Sequence, residues 1–275
     1  SGAVLGWLVL MPAFVLVGNL FQQFYNLVDS IVVGNYVGAD ALAAVGTCGS
    51  LGFLFFSLSS GLAVGIGILA AQYFGARDTE KIRATIANST YILLLAGTAV
   101  SLFGFFGAGW LLHLLQVPED IFPMSLSYLR VTSLGIVAVA LYNGVASLLR
   151  ALGDSKSPLY FLIFSCFLNI VLDLLFVLKL NMGVFGVGLA TVISQAVSFL
   201  VSMVYAITKV SYFRLSPQEW KPQKQIIRRC MELGIPMALQ STLISLSTMV
   251  LQGVVNSFGQ TVMAAYTVVG KVEQL

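Results

Sequence analysis

Charge is the property this sequence has least of. Of its 275 residues, 14 are Lys or Arg and 11 are Asp or Glu, 9% in all, against 58% hydrophobic. Soluble domains average about 25% charged residues, so a solvated globular fold is excluded and an integral membrane protein is expected. Strict alternation of polar and apolar residues is missing too. The apolar runs are continuous over about twenty residues rather than alternating over about ten, which excludes a transmembrane barrel and predicts helices. Cysteine is scarce and scattered: Cys48, Cys166 and Cys230 form no C-x-x-C pair. They read as small buried hydrophobes, with no disulfide and no metal site expected. There is no H-E-x-x-H, no aspartate-rich cluster and no nucleophile–base pair, so nothing supports an enzyme or an organic cofactor. The net charge of +3 resides in loops and predicts no nucleic-acid partner. No short basic region precedes the first apolar run, so no cleavable signal peptide is expected.

What is present is a series of apolar spans: Val9–Val33, Ala41–Tyr73, Ala84–Leu115, Ile121–Leu149, Leu159–Leu178, Phe185–Thr208 and Ile226–Ser257. An eighth begins near Gln260. Gly and Pro punctuate the joins, among them Gly38, Gly75, Pro118, Gly153 with Pro158, and Pro217 with Pro222. Lys and Arg fall in alternate connections: Arg77, Lys81 and Arg83; Arg150 and Lys156; then Lys209, Arg214, Lys221, Lys224, Arg228 and Arg229. The opposite connections hold Asp40, Glu119 and Asp120, with Lys179 as their one base. The positive-inside rule predicts a multi-pass protein of the cell membrane with a cytoplasmic N-terminus.

A repeat starts within the chain. Met11-Pro12-Ala13, Val37-Gly38 and Ala43-Ala44 around the first span are echoed by Ile235-Pro236-Met237, Phe258-Gly259 and Ala264-Ala265. The echo comes roughly 220 residues later, after six spans, as in transporters built from parallel six-helix repeats. The expected organisation is residues 1–208 as an N-terminal six-helix lobe, 209–225 as a cytoplasmic inter-lobe loop, and 226–275 as the start of a second lobe.

Two acids stand inside apolar spans, Asp29 and Asp173. A carboxylate at membrane depth costs about 2.5–3.5 kcal/mol or more, and such residues mark ion, proton or substrate paths. Gln22, Tyr25, Asn26 and Asp29 share one helical face, as do Asn169 with Asp173 and Thr191 with Gln195. Counted from the ends of their spans, Asp29, Asp173 and Thr191 each lie about 8–9 Å below the outer rim. Carboxylate, amide and hydroxyl oxygens at one level suit H+ or a hard monovalent cation such as Na+. On the fourth span Tyr128, Thr132, Gly135, Val139, Asn143 and Arg150 track one face, and Tyr128 and Asn143 are cavity candidates. Pro12 and Pro236 hold equivalent places in the two repeats and are gating candidates, because proline removes a backbone hydrogen bond and bends a helix.

These residues resemble the MATE (multidrug and toxic compound extrusion) transporters. The likeness is carried by Gln23-Phe24-Tyr25-Asn26-Leu27-Val28-Asp29, by Gly38-Ala39-Asp40-Ala41-Leu42-Ala43-Ala44-Val45-Gly46 and by Ala71-Gln72-Tyr73-Phe74-Gly75-Ala76-Arg77-Asp78. Arg150-Ala151-Leu152-Gly153-Asp154 and Gly186-Val187-Gly188-Leu189-Ala190-Thr191 continue it. The resemblance is to the prokaryotic branch with an acid on the first helix, and it covers essentially the whole chain. It implies an all-α membrane protein of twelve helices in two lobes, of which this chain supplies the first lobe, the seventh helix and the start of the eighth. It implies a monomer that exports amphipathic, often cationic, organic compounds in exchange for H+ or Na+. It puts the coupling site on Asp29, Asn169, Asp173 and Thr191. A lipid-linked oligosaccharide flippase of the same superfamily is the alternative, disfavoured because such cavities tend to be lined with several Arg or Lys and Arg130 is the one basic candidate within the first six spans. A seven-helix receptor is an alternative from another class, disfavoured by the restarting repeat.

Overall fold

The computed structural model describes residues 17, 18, 20, 21 and 27–257. Pro12, Gln22, Tyr25, Asn26 and the predicted eighth span lie outside the described residues. The described chain is helical. The helices are α1 (Leu27–Val37), α2 (Ala39–Gly75), α3 (Thr79–Leu114), α4 (Phe122–Leu134), α5 (Ile136–Ala151), α6 (Lys156–Leu174), α7 (Gly183–Lys209) and α8 (Lys224–Ser257). Among them α2, α3, α7 and α6 with its C-terminal extension are each long and apolar enough to cross a bilayer, and α4 with α5 makes a fifth, bent span.

Local chemistry explains most boundaries. Gly38, at φ +126, takes the turn between α1 and α2, a backbone state that L side chains avoid. Asp78 caps α3, its Oδ1 accepting from the Lys81 amide at 3.1 Å, so that helix starts at Thr79 rather than at the predicted Ala84. Asp154 ties the start of α6 to α7: Oδ1 accepts from the Ser157 amide at 3.0 Å and Oδ2 from the Tyr205 hydroxyl at 2.9 Å. These carboxylates lie in the predicted basic connections and serve structure.

One expectation needs correction. The fourth span is two helices, not one helix over Ile121–Leu149. It breaks at Gly135 and bends by 41°. A Cβ on Gly135 would lie 2.9 Å from Val192 Cγ2, so α7 presses on the chain there. The seventh span is present as α8. α2 and α8 form the most extensive helix pair of the fold, and the buried Ser57 and Ser245 hydroxyls meet between them at 2.6 Å. Gly61 and Gly65 of α2 lie directly against the backbone of Ala238 and Gly234 of α8. Small residues at both positions let the two backbones touch.

The largest apolar core joins the ends of α2, α3, α5 and α8 on the side of the basic connections, and includes Ile66, Ile82, Ile86, Leu149, Phe213 and Cys230. A smaller core at the opposite end is built mainly from valines, Val32, Val33, Val177, Val184 and Val187.

Candidate functional site

The acids sit beside that valine core. Asp29 is on α1, Asn169 and Asp173 on α6, and Thr191 on α7. Both acid-bearing helices loosen just beyond the acid. α1 ends as a π-turn over Val33–Val37, and α6 continues as a π-turn over Leu175–Lys179. Such turns are rare and recur at functional sites.

Asp173 is wholly buried, Asn169 1% exposed and Asp29 8% exposed. Asn169 holds the acids together. With its amide nitrogen toward them it donates to Asp29 Oδ1 and to Asp173 Oδ2, each at 3.1 Å, while its oxygen accepts from the Thr191 amide at 3.2 Å. The opposite orientation would set the amide oxygen against both carboxylates and keep only a 3.4 Å contact to Thr191 Oγ1, so the hydrogen bonds assign the amide. The two carboxyl groups thus meet at one amide nitrogen. Asp173 Oδ1 is buried with no hydrogen-bond donor among the described residues. Thr191 Oγ1 donates to the Val187 carbonyl at 3.1 Å.

Tyr128 of α4 packs against the same valine core, and its ring passes over Gly188 of α7, where a Cβ would touch it at 3.4 Å. Gln195 lines a small cleft, with room for about one water, together with Asn169, Thr191, Ser165, Cys166 and Ser194. Ser165, Cys166 and Ser194 were not singled out from sequence as site residues. Their signal was same-face spacing, Ser165 four residues before Asn169 and Ser194 three after Thr191. Asn143 is different. It lies on α5, beyond the bend at Gly135, and its buried amide nitrogen has no partner among the described residues. The predicted single face carrying both Tyr128 and Asn143 is therefore broken. Pro236 lies inside α8, which continues through it. Arg130 is exposed, with its guanidinium 5.7 Å from the Phe105 ring centre.

The cluster thus pairs two carboxylates from α1 and α6 beside Thr191 of α7, in surroundings where such charge is costly. The arrangement can take up a proton or a small cation.

Comparison with known proteins agrees with this fold. Residues 15–175 match the MatE family model. The whole chain aligns at 33% identity with the probable multidrug resistance protein YpnP of Bacillus subtilis (strain 168), covering 61% of it. The structure is similar to that of a MOP superfamily transporter from Pyrococcus furiosus, at TM-score 0.89 and 25% identity, over 98% of this chain and 60% of that one. An outward-facing multidrug resistance MATE family transporter of the MOP superfamily matches at TM-score 0.85 and 26% identity, over 92% of this chain and 56% of that one. The chain spans about three fifths of the length of these proteins. With a family match over more than half its residues, and with the helical order and buried acids just described, this chain belongs to the MatE family.

Proposed function

We propose that the full-length protein is a cation-coupled antiporter, a secondary transporter rather than an enzyme, that exports small amphipathic and often cationic organic compounds by alternating access. The observation that carries this reading is the Asp29–Asn169–Asp173 cluster with its undonated, buried Asp173 oxygen. An ionised carboxylate oxygen in that position is costly, and a proton or cation removes the cost. The names of its relatives, a probable multidrug resistance protein and a multidrug resistance transporter, support the substrate class.

Asn169 turns N–H groups, not its oxygen, toward the acids. That fits a pair of carboxyl groups sharing a proton. Na+ would call for the amide to turn and present its oxygen as a further ligand. Loading the site relieves repulsion between Asp29 and Asp173 and lets α1 and α6 close on each other. Unloading reverses this. Coupling requires that cation and substrate differ in their affinity for the two arrangements. In this reading residues 1–208 form the first lobe, 209–225 connect the lobes, and 226–275 open the second. Tyr128, Asn143 and Gln195, with Gln22, Tyr25 and Asn26, are the cavity residues, and Pro12 and Pro236 are points of bending.

The flippase alternative needs basic side chains lining the cavity to hold a pyrophosphate. Arg130 is exposed beside Phe105 instead, which supports drug export over that alternative. The test is efflux from vesicles by the full-length protein under separately imposed pH and Na+ gradients. Either gradient should drive efflux in the wild type and name the ion, and Asp29→Asn and Asp173→Asn should each abolish it with folding intact. Undiminished efflux by both variants would refute the coupling site.

A further inference from the structure

The connection between α7 and α8 is long enough to be a loose tether, and it is docked instead. Arg83, in the second turn of α3, reaches three points of it. Nη1 donates to the Ser211 carbonyl at 3.3 Å, Nη2 donates to the Arg214 carbonyl, and Nε and Nη2 grip the Glu219 carboxylate, the latter at 2.7 Å. Glu219 also accepts from the Ser216 amide at 2.6 Å and the Ser216 hydroxyl at 2.8 Å. Further along α3, the fully buried Asn88 accepts from the Gln223 amide at 2.9 Å and donates to the Ala84 carbonyl at 2.7 Å. Tyr91 donates to the Trp220 carbonyl at 2.9 Å, and the two rings meet edge to face with centres 6.0 Å apart.

Apolar packing fastens the same segment independently. Phe213 is 5% exposed and belongs to the large core with Ile82 and Ile86 of α3 and with Ile226 and Cys230 of α8. The last anchor is Gln223 and α8 begins at Lys224, so no slack separates the docked segment from the helix it feeds. About ten residues into α8, two helical turns or more, comes the Gly61–Ala238 and Gly65–Gly234 crossing, where backbone rather than interlocked side chains meets α2. A smooth contact of that kind resists rolling less than a knobs-into-holes interface does.

We infer that residues 210–223 are a strap belonging to the six-helix unit, and that Arg83, Asn88 and Tyr91 hold a fixed pivot at Gln223–Lys224 about which α8 turns against α2. The pivot's role rests on the two-lobe transport reading above. The strap's docking does not. It places the give between the lobes in α8 and its crossing with α2, not in the connection.

The test uses the full-length protein in lipid nanodiscs and vesicles. Hydrogen exchange over residues 210–223 is compared between wild type, Arg83→Ala and Arg83→Lys, alongside substrate affinity and efflux rate. Wild-type strap amides should be protected. Arg83→Ala should raise their exchange by about tenfold, the scale for losing hydrogen bonds to a charged group. Arg83→Lys keeps the charge but loses the fork that reaches three partners, and should fall between. Both variants should slow efflux while substrate affinity holds. Wild-type strap amides exchanging at the rate of an unstructured peptide would overturn the docking. So would Arg83→Ala exchange equal to wild type. Loosened exchange with an undiminished efflux rate would overturn the pivot. Arg83→Lys keeps the test decisive if Arg83→Ala does not fold. If neither gradient drives efflux in the wild type, the transport reading fails, while the exchange measurement still decides the strap.

Discussion

The two ends of this bundle treat the same side chain in opposite ways. At the end with the basic connections, Asp78, Asp154 and Glu219 are each held by two or more hydrogen bonds from named donors. At the other end, Asp29 and Asp173 share the N–H groups of one amide, and one Asp173 oxygen has no donor among the described residues. The first three acids are partly exposed, where water softens any imbalance, whereas Asp173 is wholly buried. The number of donors supplied, set against the burial imposed, therefore separates a carboxylate that fixes structure from one that is left to bind something. The helices follow the same division: α3 and α6 begin with acids that cap or tie their first turns, and α1 and α6 end in π-turns beside the buried pair.

The sharpest way to break this contrast is to neutralise acids at both ends in parallel. Asp173→Asn should reduce gradient-driven efflux by a factor on the order of 100, the upper range of coupling between sites. Its thermal midpoint should hold or rise, since a buried charge has been removed. Asp78→Asn and Asp154→Asn should leave coupling intact and cost stability instead, about 1 kcal/mol for Asp78→Ala, which deletes the cap outright. Efflux and thermal unfolding measured on the same preparations decide between the two patterns. Asn169 tests the link itself. Asn169→Ala should weaken cation or proton uptake more than it lowers the unfolding midpoint, because it strips the shared donors from both acids. An equal loss in both measures would make Asn169 a structural residue.

A smaller effect is expected where the two ends communicate through packing. Gly61→Ala and Gly65→Ala each put a methyl into the backbone of α8, and overpacking of this kind costs about 1–3 kcal/mol. The loss should appear as a lowered unfolding midpoint and as greater reactivity of Cys230, which is 1% exposed beneath the crossing. Unchanged Cys230 labelling in both variants would show that the helices separate without cost, and that the crossing holds nothing shut.

How much of this was legible beforehand follows from the range of the interactions. The apolar runs specify the spans because bilayer thickness sets helix length, and the i, i+4 pair Asn169 and Asp173 falls on one face by helical geometry alone. Shared depth then puts Asp29 and Thr191 at the same level, and in the structure Asp29, Asn169 and Asp173 meet by their side chains, while Thr191 joins through its amide. The break at Gly135 was not legible, because a glycine in an apolar run is compatible with an unbroken helix and its cause, Val192, sits 57 positions away on α7. The π-turns after Asp29 and Asp173 share no sequence marker, one reading Val33-Gly34-Asn35-Tyr36-Val37 and the other Leu175-Phe176-Val177-Leu178-Lys179. The early start of α3 could have been read, since Asp78 is a standard capping residue one position ahead of Thr79. The strap could not, because Arg83 finds its partners 128 to 136 residues later.

The smallest expected effect separates the ends by pH. Arg83 first, then the Ser216 amide and hydroxyl, pull the Glu219 carboxyl down from 4.5 to about 2, and Lys81 likewise lowers that of Asp78. A carboxyl whose folded value is depressed contributes stability that is fully present above its unfolded value and is lost as pH falls through the folded one. Docking of the strap should therefore be unchanged above about pH 5 and weaken from there toward pH 2, in the window between the two values for Glu219. Both groups are partly exposed, so salt should blunt the effect. Cleavage after Arg214 by an acid-tolerant protease of basic specificity, or covalent labelling of Trp220, reports the strap directly. Glu219→Gln should make the labelling at neutral pH resemble that of the wild type in acid and remove most of its dependence on pH. A wild-type transition centred near neutrality would instead place the titrating group elsewhere and detach the strap's docking from the Arg83–Glu219 pair.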